Sequence, residues 1–119
     1  MQNTSLQTIH IGYWKTTLSG CQYPMPEANT ARQDEITEAL MLLKKIKESV
    51  KTNTLYTKGV SPCRLCNKSN GSIEYVVTKY SKAGNPMMRW CIPEGYEHYL
   101  VDHKVKPDLE NLRTAAMHC

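Results

Sequence analysis

Two cysteines and two histidines in the second half of the chain have the spacing of metal ligands. Cys63 and Cys66 enclose two residues, so both sulfurs can point into one turn, as in a zinc knuckle. His98 and His103 enclose four residues, a spacing that is typical of the paired histidines in Cys2His2 sites. Together the four side chains predict one tetrahedral Zn²⁺ site.

The predicted site is closed, because four protein ligands leave no position for a catalytic water. The metal would then contribute free energy of folding rather than chemistry, which predicts a structural role. Two alternatives stay open. In one, the four residues are simply buried cysteines and surface histidines. In the other, Cys91 replaces one ligand, since it lies shortly before His98 and a Cys3His set is also tetrahedral.

A nuclease of the HNH kind is a weaker interpretation of the same region. Asp102 and His103, followed by Pro107 and Asn111, are similar to that motif, in which Asp102 would orient His103 as a general base. His118 would then lie near a metal ion. The interval before Asn111 is short for the motif, and His103 cannot be both a zinc ligand and a free base. The sequence therefore favours a protein that is not an enzyme.

A β-hairpin is predicted to fill the 31 residues between Cys66 and His98. Residues 72–80 alternate in polarity and are rich in β-branched side chains, which favours a strand. Residues 82–86 favour a turn, and residues 87–92 favour the returning strand. This gap is longer than in an ordinary Cys2His2 finger.

A helix is predicted to follow the hairpin and to carry His98. Pro93 suits its first turn, and Glu94 is favourable near the positive end of the helix dipole. In an unbroken helix His98 and His103 would lie about 140° apart around the axis. We therefore expect the helix to tighten or end before His103.

An amphipathic helix is predicted over residues 30–52. Thr30 with Gln33 has the form of a capping box. Apolar residues recur at intervals of three and four and define one stripe, which consists of Ile36, Ala39, Leu40, Leu43, Ile46 and Val50. A final short helix is expected after Pro107, with Leu109, Leu112 and Ala116 on one side.

The length of 119 residues favours a single domain with a modest core that a metal would stabilise. We divide it into an irregular N-terminal strap (1–29), the amphipathic helix (30–52), the zinc-binding unit (59–107) and a C-terminal helix or tail (108–119). Within the first segment, Ile9, Ile11, Tyr13 and Trp14 could form a short strand or an apolar strap. The order of knuckle, hairpin and helix predicts an α+β fold that is treble-clef-like or an enlarged ββα finger.

Composition favours a cytoplasmic protein. The five cysteines are an odd number, so they cannot all pair within the chain, and no apolar segment has the length of a signal peptide core or a membrane span. In a reducing compartment, paired cysteines bind metal more often than each other. The net charge of +4 is a mild basic excess that permits an acidic or nucleic-acid partner.

The segment from Gly59 to Pro107 contains S-P-C-R-L-C-N-K-S-N-G-S-I-E and then W-C-I-P-E-G-Y-E-H-Y-L-V-D-H-K-V-K-P. These runs resemble a family of small, uncharacterised bacterial and phage zinc-finger-like proteins with the pattern C-R-x-C-G, N-G-S-x-E and W-P-E-G-x-x-H-Y-V-x-x-H-x-V-x-x-P. The N-terminal I-G-Y-W, followed by a P-x-P segment, is similar too. The resemblance implies that the paired Cys and His of the pattern, here Cys63, Cys66, His98 and His103, bind the metal.

The chain departs from the family pattern in two places. Asn67 occupies a position where glycine is usual. Trp90 and Pro93 are separated by Cys91 and Ile92, whereas the family has the two residues adjacent. The register of Trp90 is therefore not given by the resemblance.

These patterns lead to the hypothesis of a non-enzymatic zinc-binding interaction module that acts through a protein partner, as a regulator, immunity factor or phage accessory protein. An aromatic surface from Trp14, Trp90, Tyr96 and Tyr99 would suit such a role, although these residues also suit the core. The alternative is a nucleic-acid-binding zinc-finger protein. It would use the basic residues Lys44, Lys45, Lys47, Lys51, Arg64, Lys68, Lys79, Lys82, Arg89, Lys104 and Lys106.

Overall fold

The structure is a computed structural model that describes residues 6–12, 25–56, 63–66, 68–69 and 71–119. Within these ranges the elements follow in the order β1 (Gln7–His10), α1 (Gln33–Glu48), β2 (Asn53–Tyr56), β3 (Ile73–Tyr80), β4 (Pro86–Pro93), α2 (Tyr96–Asp102) and α3 (Leu109–Met117). The strands form one mixed sheet in the order β1-β4-β3-β2. The predicted α+β class is confirmed.

The hairpin of β3 and β4 is the centre of the sheet, as predicted. The two strands are antiparallel, and Val77 lies opposite Trp90. The turn between them is closed by Ser81, whose N–H donates to the carbonyl of Asn85 at 2.8 Å. Strand β2 continues the sheet beside β3, with Asn53 opposite Val76, and β1 lies parallel to β4 at the other edge.

The core lies between one face of this sheet and the helices. Alternate strand residues face it, since successive side chains of a strand point to opposite faces. The buried cluster consists of Ile11, Ile36, Ala39, Leu43, Ile46, Val77, Trp90, Ile92, Tyr96, Leu100, Leu112, Ala115 and Ala116. Each large side chain in it contributes about 1.5–3 kcal/mol by leaving water. The apolar stripe predicted for the first helix is thus confirmed over Ile36 to Ile46.

Helix α1 is shorter than the predicted 30–52. It begins after Arg32, whose N–H donates to the Glu35 carboxylate at 2.9 Å, so the capping box predicted for Thr30 is wrong. It ends before Ser49, and Val50 is 99% exposed rather than part of the stripe. Contacts far along the chain, not local preference, set its first residue.

Those contacts come from the segment that follows α2. The carbonyl of His103 accepts from the N–H of Asn29 at 2.8 Å, and the carbonyl of Lys104 accepts from Thr30 at 3.0 Å and Ala31 at 2.9 Å. In return the Thr30 hydroxyl accepts from the N–H of Lys106 at 3.0 Å. Asn29 and Lys104 both have positive φ, at 60° and 50°, which lets the two turns face each other.

The prediction that Pro93 opens a helix is wrong. Pro93 is the last residue of β4 and lies opposite Glu74. Helix α2 begins after Gly95. The carboxylate of Glu94 instead accepts from the N–H groups of Ser72 at 2.8 Å and Ile73 at 3.2 Å, and so ties the end of β4 to the start of β3.

The N-terminal strap contains the strand expected near Ile9, which pairs with β4. Tyr13, Trp14 and Cys21 lie outside the described residues. The last helix, α3, agrees with the prediction and is capped by Asp108, whose side chain accepts from the N–H of Asn111 at 3.2 Å.

Gly12 ends the described part of the N-terminal segment and lies against α2. Its neighbour Ile11 is fully buried and donates its N–H to the carbonyl of Cys91 at 2.9 Å. Gly12 has φ of +79°, and a Cβ at this position would overlap the ring of Tyr96. The glycine is therefore required both by its backbone conformation and by the close approach to Tyr96.

We predict that Gly12→Ala lowers the free energy of unfolding by about 1–3 kcal/mol more than Gly84→Ala does. Both residues have positive φ, but a Cβ at Gly84 meets nothing within 4 Å. The conformational cost is therefore shared, and the difference is the cost of overpacking the buried Tyr96 ring. Urea unfolding of the two variants measures it. Equal destabilisation would show that Tyr96 moves aside freely.

Candidate metal centre

The structure brings together the four side chains that the sequence pairs. One ligand atom from each of Cys63, Cys66, His98 and His103 lies within 4.8 Å of the other three. The cysteines come from the turn before β3, and the histidines come from α2 and the residue that ends it. The hairpin returns the chain to the knuckle, as expected. These residues lie close enough to hold a metal ion.

The knuckle is held by backbone hydrogen bonds. The N–H of Cys63 donates to the carbonyl of Lys68 at 2.8 Å, and the N–H of Leu65 donates to the Cys63 sulfur at 3.4 Å. Cys63 is fully buried and Cys66 is exposed. An N–H donor aimed at sulfur stabilises the thiolate form, which is the form that binds metal.

Tyr99 joins the knuckle to α2. Its hydroxyl accepts from the N–H of Arg64 at 2.8 Å, and its ring packs with Cys63 and Val105 in a small buried cluster. Burial raises the pKa of Tyr99. The charge of Cys63 and the hydrogen bond with it raise this pKa further, whereas the contacts with Arg64 lower it. The hydroxyl therefore keeps its proton and can donate it to the sulfur of Cys63.

His98 is oriented by two contacts on opposite sides of its ring. Its Nε2 lies 3.3 Å from the Cys66 sulfur, and its Nδ1 lies 3.0 Å from an Asp102 carboxylate oxygen. A proton on Nδ1 donates to Asp102, which leaves the Nε2 lone pair directed at the cluster. A carboxylate behind a histidine ligand is the usual arrangement in metal sites.

His103 lies just beyond α2, as the angle between the histidines requires. Residue Asp102 is the last of the helix, and the left-handed turn at Lys104 redirects the chain behind it. The rings of His98 and His103 meet edge to face, with centroids 4.9 Å apart. The predicted end of the helix is confirmed.

The Nε2 atom of His103 is buried and has no hydrogen-bond partner among the described residues. An unsatisfied buried nitrogen costs about 1–3 kcal/mol, so such atoms are rare. The other three residues of the cluster, Cys63, Cys66 and His98, are also of types that bind metals. A bound cation would provide the missing partner.

Cys91, the rival ligand, is not part of this cluster. It lies in β4 on the face opposite Trp90, beside Glu74 and Arg89. Burial first, and then the charge of Glu74, raises the pKa of its thiol to about 11. Cys91 is thus a buried side chain outside the cluster, in surroundings that disfavour the thiolate a metal requires.

The arrangement expected for an HNH nuclease is not formed. Asp102 contacts His98 rather than orienting His103. His118 stacks on the core residue Trp90, with ring centroids 5.4 Å apart, and Asn111 donates its side-chain amide to Asp108 at 2.7 Å. Asp102, His118 and Asn111 of that hypothesis therefore all contact residues other than those the motif requires.

Sequence reasoning did not assign Asp102 and Tyr99 to the metal cluster: it placed Asp102 behind His103 in the nuclease hypothesis and Tyr99 in the aromatic surface. The spacing of His98 and Asp102, four residues apart on a helix, is a signal that would have found the first. No local signal identifies Tyr99, because its partner Arg64 lies 35 residues earlier in the chain, before the hairpin.

Comparisons with protein families, with curated proteins and with solved structures find no match to this chain. Within the described ranges, no helix has the length and apolar content needed to cross a bilayer. The local geometry of the site is therefore the basis for the functional argument.

We predict that Asp102→Asn weakens metal binding about 10- to 100-fold, because the amide no longer fixes the proton on Nδ1 of His98. Glu97→Gln is the matched control on the same helix, since Glu97 instead pairs with Lys47 at 2.8 Å. Competition with a chromophoric chelator measures both affinities. Equal affinities for the two variants would contradict a supporting role for Asp102.

Proposed function

We propose that this chain is a non-enzymatic interaction module that is stabilised by one structural Zn²⁺ and that binds a protein partner. The ligands of the ion are Cys63, Cys66, His98 and His103. The observation that carries the proposal is the buried Nε2 of His103, a member of the Cys2His2 cluster, which has no hydrogen-bond partner among the described residues.

The donor set and its dimensions support Zn²⁺. Two thiolates and two imidazoles are typical ligands of this ion in closed structural sites. With Zn–S of about 2.3 Å and Zn–N of about 2.0–2.1 Å, a tetrahedron separates its donor atoms by about 3.3–3.8 Å. A sulfur and a nitrogen donor are separated by about 3.5 Å in such a tetrahedron. The Cys66 sulfur and Nε2 of His98 lie 3.3 Å apart, and all four donor atoms lie within 4.8 Å of one another, so small side-chain movements would fit them around the ion.

The surroundings of the cluster support a structural role. Among the described residues, the knuckle packs in a small apolar cluster made by Cys63, Tyr99, Val105 and part of Leu65, apart from the main core. A metal would add folding energy to this small cluster. The order of knuckle, hairpin and helix supports a treble-clef-like zinc unit.

Exposed apolar side chains support a protein partner over a nucleic acid. The aromatic surface expected from Trp90, Tyr96 and Tyr99 is wrong, because all three are buried. Other large apolar side chains are exposed instead: Met25, Met41, Val50, Leu55, Tyr56, Tyr80, Met87, Val101 and Met117. Three of them, Val50, Tyr80 and Met117, line one cleft, and apolar residues grouped on a surface are typical of protein–protein contacts.

We expect purified protein to contain one Zn²⁺ per chain by elemental analysis, and a chelator to lower its melting temperature. Cys63→Ser should abolish stoichiometric zinc, and Cys91→Ser should retain it, because only Cys63 lies in the cluster. The structural site would be ruled out if a chelator left the melting temperature unchanged, or if both variants lost zinc to the same extent.

A separate experiment tests the proposal that the protein is not a nuclease. Purified wild-type protein is incubated with DNA and RNA in the presence of Mg²⁺ or Zn²⁺, with His103→Ala as the comparison. We expect no cleavage by either protein. Metal-dependent cleavage that His103→Ala removes would contradict the proposal.

A further inference from the structure

A cleft of about 670 Å³ opens at the far end of β3 from the candidate metal centre. It is lined by residues from the ends of α1 and α3 and from β2 and β3, namely Val50, Lys51, Asn53, Thr78, Lys79, Tyr80, Met117 and His118. This volume is within the range of about 300–1,000 Å³ that is typical of ligand clefts. None of the four candidate metal ligands lines it.

The floor of the cleft is an open stretch of sheet edge. Strand β2 is shorter than β3, and its last pair on this side is Asn53 with Val76. From Thr78 to Tyr80, β4 is the only described strand that pairs with β3. Within the part of the chain that the structure describes, no strand lies beside the outer edge of this stretch, which is the requirement for adding a peptide strand.

The cleft is positively charged. Lys51 and Lys79 line it, and no aspartate or glutamate of the described residues does. The ion pairs of the described residues all involve other basic groups, so neither lysine has an acidic partner there. An acidic ligand would gain two ion pairs without breaking existing ones.

The cleft also has an apolar part. Val50 is 99% exposed, Met117 is 75% exposed and Tyr80 is 58% exposed, and all three line it. Methionine and tyrosine are well suited to bind varied apolar side chains. A phosphate backbone makes poor use of such groups and cannot pair with the edge of a sheet.

We propose that this cleft binds an extended acidic segment of the protein partner, with apolar side chains between its carboxylates, as an added strand beside Thr78–Tyr80. The segment pairs its backbone with β3 and places carboxylates near Lys51 and Lys79, on the face of the sheet that α3 covers. Its alternating apolar side chains then point to the opposite face, beside Thr78 and Tyr80. This inference rests on the proposed function, since it names the partner's chemistry.

The test uses full-length, zinc-loaded protein and a fluorescent peptide in which glutamate alternates with valine. Fluorescence anisotropy at low ionic strength measures its binding. Three further probes are a lysine-for-glutamate peptide, the acidic peptide N-methylated at alternate residues, and a single-stranded oligonucleotide of similar length. We expect the acidic peptide to bind and the other three to bind at least several-fold more weakly.

The double variant Lys51→Glu with Lys79→Glu should weaken binding of the acidic peptide roughly tenfold, as expected when two surface ion pairs become repulsive. Lys44→Glu with Lys106→Glu is the matched control, because it changes the net charge equally outside the cleft. It should change the affinity less than about twofold. Zinc content is measured in every variant.

Equal weakening by the two double variants overturns the cleft as the site. If the N-methylated peptide binds as tightly as the acidic peptide, strand addition is overturned. If the oligonucleotide binds more tightly than the acidic peptide, and loses this binding in the Lys51→Glu, Lys79→Glu variant, the cleft is a nucleic-acid site. Each of these results, obtained with one Zn²⁺ per chain, leaves the structural zinc standing. Absence of zinc from the wild type is a failure of the proposed function instead.

Discussion

The placement of His103 is the constraint on which the rest of the structure depends. Its ring completes the Cys2His2 cluster, and its carbonyl accepts from Asn29, just before α1. The next residue, Lys104, has a left-handed conformation and its carbonyl receives two further N–H groups from the same segment. One turn of chain thus fixes the candidate metal centre on one side and the entry of α1 on the other. A shift of this turn would disturb both the cluster and the start of α1, because the position of the His103 ring and the hydrogen bonds to Asn29, Thr30 and Ala31 depend on the same backbone.

The features that were predictable from sequence are local ones. The ligand spacing, the hairpin and the end of α2 before His103 follow from patterns within a few residues or from the angle between successive residues on a helix. The errors have distant causes. Helix α1 starts late because Thr30 is engaged by Lys106, and Pro93 remains in β4 because its neighbour Glu94 binds the backbone at Ile73. The parallel pairing of β1 with β4 also has no local signal.

The two ends of β3 have different roles. At the start, Glu94 closes the strand against the return of β4, close to the helix that carries His98. At the other end β2 has already diverged, and no other described strand pairs with the outer side of β3 from Thr78 onward. The candidate metal centre and this edge therefore lie toward opposite ends of one strand, so the fold would not have to reorganise to present the edge.

The parallel pairing of β1 with β4 has a consequence for the order of folding. The first described strand finds its partner only after most of the chain has been made, and Ile11 donates to Cys91 across the same distance in sequence. Closing so long a loop is slow compared with forming a hairpin. Both pairings require β4; the short turn lets β3 pair with it at once, whereas β1 reaches it only by closing the much longer loop. Until then Trp90 and Ile92 lack the cover that Ile9 and Ile11 provide. The nascent chain therefore passes through a stage with an uncovered apolar sheet, at which aggregation competes with folding.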